Sequence, residues 1–378
     1  MVYEPAEDSV LLKRNIKDYA KGKVLDMGTG SGILAEEAKK HASFVMGADI
    51  DKEAVEYCKN RITGVKFIQS DLFSNINEKF DTILFNPPYL PTKKVVQDPA
   101  LDGGKHGYEL IGRFIEQVPE HMEKDGRVLL LFSSYSKKER IEEIIKKNCL
   151  DFFEIDRENL FFERLYVYLI KKSPFLKELE AKGVSDVGFF AKGKRGLVYK
   201  GSYNGKNVVI KSENPDSEAL GRIANEAKML EKLNEYKIGP SLIFSGKGYI
   251  VIEFIEGELF PDFIKNNEKK KINLVLDKIF GQLQMLDELG INKEEMHRPN
   301  KHIIVNENPV LIDFERAAFR MRANNITQFI KYLTSKKIYP VLVEKGFGFV
   351  KEKAIEMGID YRKGKINACK IREYIKNS

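Results

Sequence analysis

The sequence predicts an α/β domain built on a mostly parallel sheet, followed by an α+β domain. Three observations carry this. An apolar strand, Val24-Leu25-Asp26-Met27, runs into the turn Gly28-Thr29-Gly30-Ser31-Gly32 and then into a helical pattern from Ile33 to Lys40, which is how a doubly wound sheet begins. Further apolar runs end in polar residues: Phe44 to Asp49, Val65 to Asp71, and Thr82-Ile83-Leu84-Phe85 before Asn86-Pro87-Pro88-Tyr89. After Lys171-Lys172-Ser173-Pro174 breaks the pattern, a glycine-bearing strand pair and a charged helix begin afresh.

In chain order, Gly28 and Gly30 let backbone approach a ligand closely. The spacing is not the dinucleotide G-x-G-x-x-G and no P-loop lysine follows, so a pyrophosphate is not the expected ligand. Asp49 ends the next strand and suits the two hydroxyls of a ribose, with Asp51 as a substitute. Asp71 ends the one after and is placed to accept from an exocyclic adenine amine. Each acid alone is an ordinary turn or helix cap; in this order they outline a site for a nucleoside cofactor. Pro87 and Pro88 lack N–H donors and fix their own φ, so the Asn86 side chain and the adjacent carbonyls are stiffly held acceptors. A planar NH2 group donating to two of them has its nitrogen positioned for in-line attack, with the developing positive charge stabilised. Its electrophile must be strongly activated, as a sulfonium methyl is. The strand Gly126 to Phe132, a helix rich in Lys and Glu near 136–148 and the alternating strand Leu165 to Ile170 close the domain.

Residues 1 to about 172 resemble a Rossmann-like class I S-adenosylmethionine-dependent methyltransferase of the HemK type. The resemblance rests on Tyr3-Glu4-Pro5-Ala6-Glu7-Asp8-Ser9, the Asp26 to Gly32 turn, Asn86 to Tyr89, and Leu101-Asp102-Gly103-Gly104-Lys105-His106-Gly107. It is nearest to the branch that methylates the glutamine of the Gly-Gly-Gln motif in translation release factors. It implies a mostly parallel seven-stranded sheet, with Asp26, Gly28 and Gly30 at the methionine end of S-adenosyl-L-methionine, Asp49 at its ribose, Asp71 at its adenine and Glu7 closing over it. Asn86, Pro87 and Tyr89 would then hold the glutamine amide. Relatives in this branch often need a small zinc-binding activator subunit. Adenine N6 and guanine N2 methyltransferases also use Asn-Pro-Pro-Tyr, so the motif leaves tRNA, rRNA or DNA open as the methyl acceptor.

The second domain opens with Ala191-Lys192-Gly193-Lys194-Arg195-Gly196, then Val208-Val209-Ile210-Lys211, then Glu226 within a helical run from Glu218 to Leu233. A third-strand lysine can bridge ATP phosphates while a helix glutamate holds it in place. Tyr249 to Gly257, with Glu253, is similar to an adenine-receiving hinge, and Asp313-Phe314-Glu315 to a metal-binding Asp-Phe-Gly. Residues 185–330 resemble a small atypical protein kinase of the RIO and Bud-type class, which implies ATP and Mg at Gly193, Lys211, Glu226, Glu253 and Asp313. The catalytic aspartate is missing: His297 or Pro299 falls in its place, depending on register, and His302 in that of the asparagine. His297 as a base, or a regulatory ATP-binding pseudokinase, are the two readings left.

At 378 residues, two domains is the natural count: 1–172, a linker at 173–184, 185–330, and a basic helical extension at 331–378 that completes the second domain. The net charge is +7, and residues 331–378, with 12 basic and 5 acidic residues, account for it. The first domain is therefore balanced, which fits a protein substrate better than duplex nucleic acid. The basic tail offers RNA contact as a sharper alternative to a solvated helix face. Cys58, Cys149 and Cys369 are far apart, with no C-x-x-C pair, so neither a disulfide framework nor a zinc site is indicated and a reducing cytoplasm fits. No apolar leader or membrane-length stretch occurs.

Overall fold

The computed structural model describes residues 7–89, 105–193, 196–213 and 221–378. Tyr3 to Ala6, Leu101 to Gly104, Lys194, Arg195 and Glu218 lie outside the described residues. The chain divides into two compact units, Met1–Phe189 with Ser202–Asn204, and Phe190–Gly201 with Gly205–Ser378.

The first unit runs α1 (Glu7–Tyr19), β1 (Lys23–Met27), α2 (Ile33–Ala38), β2 (Phe44–Asp49), α3 (Lys52–Arg61), β3 (Lys66–Gln69), β4 (Phe80–Phe85), α4 (Glu109–His121), β5 (Met122–Ser133), α5 (Lys138–Lys147), β6 (Leu150–Asn159), β7 (Arg164–Lys172) and α6 (Pro174–Ala181). Its seven-stranded sheet has the order β3-β2-β1-β4-β5-β7-β6. It is parallel except where β7 runs antiparallel to β5 and β6, as the Rossmann-like class I methyltransferase fold requires. The strand order reverses between β1 and β4, the place where such sheets bind ligands. Met27 pairs with Phe85 there, so the Gly28 turn and Asn86 leave the sheet at the same level.

Local chemistry explains the elements. The inner strands β1 and β4, and β5 from Gly126 onward, are buried almost throughout, as parallel strands covered on both faces must be. Leu11, Leu12 and Ile16 of α1 pack with Leu34 and Ala35 of α2 and Leu84, Leu129 and Val167 of the sheet. Asp51 caps α3 by accepting from Glu53 N at 2.8 Å. Ser173 caps α6 at Leu176 N, 3.2 Å, with Pro174 in the first turn, so the stretch after β7 is helical.

The second unit begins with β8 (Val184–Lys192), which crosses the boundary, then β9 (Gly196–Tyr203), β10 (Lys206–Glu213), α7 (Arg222–Asn234), β11 (Leu242–Gly246) and β12 (Tyr249–Glu253). These strands form a five-stranded sheet of order β11-β12-β10-β9-β8. The rest comprises β13 (Glu258–Leu259), α8 (Phe260–Asn266), α9 (Lys269–Glu288), β14 (Ile291–Asn292), β15 (Ile303–Val305), β16 (Pro309–Leu311), β17 (Ala318–Phe319), α10 (Asn325–Leu333), α11 (Tyr339–Glu344), α12 (Lys351–Arg362) and α13 (Ala368–Asn377). One apolar core joins Leu230 of α7, Phe280 of α9 and Phe329 of α10 to Leu342, Ile371 and Ile375. The basic C-terminal stretch thus supplies part of this core.

Candidate functional site

In the first unit the glycine turn is the base of the site. Gly28 and Gly30 have φ of 65° and 49°, the left-handed region that costs a residue with a Cβ. Gly30 N donates to Asp49 Oδ2 at 2.8 Å and Asp51 N to Asp49 Oδ1 at 2.9 Å, which ties the end of β2 to the turn. Each Asp49 oxygen keeps a lone pair for a further donor. Asp26 is fully buried. Its Oδ2 accepts from Thr29 Oγ1 at 2.7 Å and Ala35 N at 3.0 Å, whereas its buried Oδ1 has no hydrogen-bond partner. Burial outweighs both hydrogen bonds and pushes the carboxyl up to about 7. An acceptor without a donor beside a turn whose acids keep free lone pairs fits a ligand bringing N–H and ribose O–H groups.

Asn86 follows β4 directly. Its Nδ2 donates to Asp8 Oδ2 at 3.1 Å and Ser9 Oγ at 3.4 Å, and Tyr89 OH donates to the same Asp8 oxygen at 3.4 Å. Ser136 Oγ holds the Tyr89 carbonyl at 3.0 Å. With its amide nitrogen directed to α1, Asn86 leaves Oδ1 buried and without a partner. Asp8 and Ser9, both buried, are the residues that sequence reasoning missed as anchors; their signal was the segment ending at Ser9. Glu7 is the exposed first residue of α1. Asp71 is exposed and paired with Arg113 of α4 at 2.9 Å.

The second unit gathers another charged centre. Lys211 Nζ of β10 lies 2.8 and 3.0 Å from the Glu226 oxygens and 3.8 Å from Asp313 Oδ1. Burial pulls the Lys211 ammonium down, but Glu226 and Asp313 together hold it above its ordinary value. Glu226 is fully buried and also accepts from Phe314 N at 3.2 Å. Asp313 sits at φ 67°, a backbone conformation a carboxylate side chain adopts at a cost. Its buried Oδ1 has no hydrogen bond; burial raises the carboxyl, and Lys211, Lys293 and His302 more than reverse this. Among the described residues no group of three or more His, Cys, Asp and Glu side chains surrounds a metal position. A single carboxylate suits Mg shared with phosphates and water rather than a protein cage.

Sequence reasoning also missed Lys293. It is fully buried, donates from Nζ to the Asp313 carbonyl at 2.5 Å, and lies 4.7 Å over the Phe314 ring. Burial brings its ammonium down to about 8. His302 Nε2 is 3.6 Å from Asp313 Oδ2, its Nδ1 is buried without a partner, and burial with Lys293 brings it to about 4, so it is neutral at pH 7. His297 is exposed and donates from Nδ1 to the Glu294 carbonyl at 2.9 Å. Glu253 turns its carboxylate to Ser241, at 2.8 Å from Oγ. Gly193 N donates to the Gly196 carbonyl at 2.9 Å.

The methyltransferase small domain family matches residues 6–161. A solved structure, the Mtq2-Trm112 complex of E. cuniculi, responsible for methylating the eRF1 translation termination factor, is 26% identical with a TM-score of 0.40, covering 46% of this chain and 99% of that one. A release factor glutamine methyltransferase of Haemophilus influenzae is 30% identical over 173 residues, 40% of this chain and 59% of the relative. A similar enzyme of Lactococcus lactis is 29% identical, and the chain spans less than two thirds of the length of both bacterial relatives. A Methanocaldococcus jannaschii protein, provisionally named a protein N5-glutamine methyltransferase, is 43% identical over 154 residues, which is 38% of this chain and 78% of that protein. Through its first unit, the chain belongs to the protein N5-glutamine methyltransferase family.

Proposed function

We propose that the first unit transfers a methyl group from S-adenosylmethionine to the side-chain nitrogen of a protein glutamine, that of the Gly-Gly-Gln motif of a translation release factor. The observation that carries this is the buried Asn86 Oδ1, an acceptor without a donor at the end of β4. Leaving such an atom unpaired costs about 1–3 kcal/mol, and a substrate amide hydrogen would satisfy it. Asp8 fixes the Asn86 amide so that this oxygen faces away from α1. Asn86 Oδ1 would accept one hydrogen of the substrate NH2 and a neighbouring carbonyl the other, aiming the nitrogen and stabilising its developing charge. Asp26 would receive a donor from the methionine end of the cofactor, and Asp49 its ribose hydroxyls. When bound, S-adenosylmethionine supplies a methyl group activated by its sulfonium.

Transfer of labelled methyl should be measured with purified release factor, tRNA, rRNA and DNA offered in parallel. Label in the release factor is expected, and label in nucleic acid alone would overturn the reading. Asn86→Ala should lose at least about 10²-fold in turnover while cofactor affinity holds. Dependence on a small zinc-binding activator subunit belongs to the same proposal, and full turnover by the purified chain alone would remove it.

The second unit we read as a kinase-like nucleotide-binding domain. The Lys211, Glu226 and Asp313 cluster supports this, because a half-buried lysine held by a buried glutamate near an aspartate can pair with the phosphates of a nucleoside triphosphate while the aspartate meets its Mg. Lys211→Ala should abolish binding of Mg-ATP measured by calorimetry; unchanged affinity would end this reading.

A further inference from the structure

We propose that Glu295 is the proton acceptor of the second unit's centre, taking the proton of an acceptor hydroxyl as its oxygen bonds to the terminal phosphorus of a nucleoside triphosphate. The assignment rests on the nucleotide-binding reading of this unit and supplies the carboxylate that the sequence registers lack. The loop leading to it is fixed at its start by Lys293, which is fully buried, holds the Asp313 carbonyl at 2.5 Å and covers Phe314. Its far end is His302, 3.6 Å from Asp313 Oδ2. Glu295 therefore leaves a segment pinned to the Asp313 turn at both ends.

The side chain itself points to a role. Glu295 Oε1 lies 3.5 Å from Arg316 Nε, while Oε2 is buried and has no hydrogen-bond partner. Burial raises its carboxyl, Lys293 opposes this, and the charge of Asp313 adds to it, so the two acids sense one another. A half-satisfied buried carboxylate is costly and calls for an explanation. A hydroxyl group donating to Oε2 provides one. His297 is the weaker candidate, being exposed with Nδ1 engaged by its own loop at Glu294. In the reaction, the new O–P bond forms as the bridging P–O bond to the diphosphate breaks. The hydroxyl proton moves to Glu295 and later to solvent, leaving a phosphorylated acceptor, a nucleoside diphosphate and one proton.

The test uses the full chain with Mg-ATP and water as the simplest acceptor, reading labelled phosphate release and, by calorimetry, affinity for a non-hydrolysable ATP analogue. Glu295→Gln should lower turnover at least about 10²-fold with affinity held within about twofold, and Glu295→Asp should keep part of the rate. Wild-type turnover in Glu295→Gln, or its loss in His297→Ala instead, would overturn the assignment and leave nucleotide binding standing. A wild-type chain that binds the analogue but turns over no ATP would overturn it too. Absence of binding by the wild-type chain would overturn the nucleotide-binding reading itself.

Discussion

Asp26 carries its charge at a cost. Its folded-state value is pushed from 3.8 to about 7, chiefly by burial, so the folded protein favours the protonated acid. The stability this group contributes is complete below about pH 4 and is lost as pH rises through about 7. Asp26→Asn keeps an oxygen for Thr29 and Ala35 but never ionises. Its melting temperature in the absence of cofactor should therefore gain on the wild type between pH 4 and pH 8, by about 2–4 °C for each kcal/mol. A difference that does not change with pH would show that Asp26 is not the group that titrates. The acid was visible in the sequence as the end of a strand before glycines. The anchoring role of Asp8 and the place of Glu295 were not, because each depends on a residue far along the chain, Asn86 for one and Asp313 for the other. No local pattern encodes such a meeting.

Among the elements, α1 is the one on which the proposed methyl transfer should depend without touching the reaction. It sets Asp8 against Asn86, and its own position is fixed by packing and by β6. Arg14 forms a two-pronged pair with Asp156 of β6 at 2.8 and 2.8 Å, and Asn15 donates to the same carboxylate at 2.7 Å. An exposed pair alone is worth little, but Asn15 is buried and would lose a charged acceptor. Asp156→Ala should destabilise the first unit by about 1–2 kcal/mol. It should also lower methyl transfer more than cofactor affinity, since Asp8 shifts while Asp26 and Asp49 stay; equal losses in both would show that α1 acts on the cofactor. The apolar strands β1, β2 and β4 were legible because burial on both faces writes a continuous run into the sequence. Neither α1 nor β6 was: the first opens with Glu7-Asp8-Ser9, and the second alternates charges through Glu154, Asp156, Arg157 and Glu158.

Among the described residues, apolar clusters pack around Leu12, Leu84 and Leu129 in the first unit and around Leu230, Phe280 and Phe329 in the second. Each centre lies within the unit whose core supports it. Heating the full chain should therefore give two calorimetric transitions. The Lys211–Glu226 pair is a means of assigning them: Glu226→Ala leaves a largely buried ammonium with less compensation, at a cost of about 3–5 kcal/mol, and should lower only the second unit's transition. S-adenosylhomocysteine at 100 times its Kd adds about 2.7 kcal/mol to the state that binds it. For a unit of this size that raises one melting temperature by about 5–10 °C, and the transition raised should be the one that Glu226→Ala leaves in place. Mg-ATP should raise the other. If either ligand raised both transitions equally, or if Glu226→Ala lowered both, the two units would unfold as one cooperative body, and each proposed activity would have to be tested for control by the other's ligand.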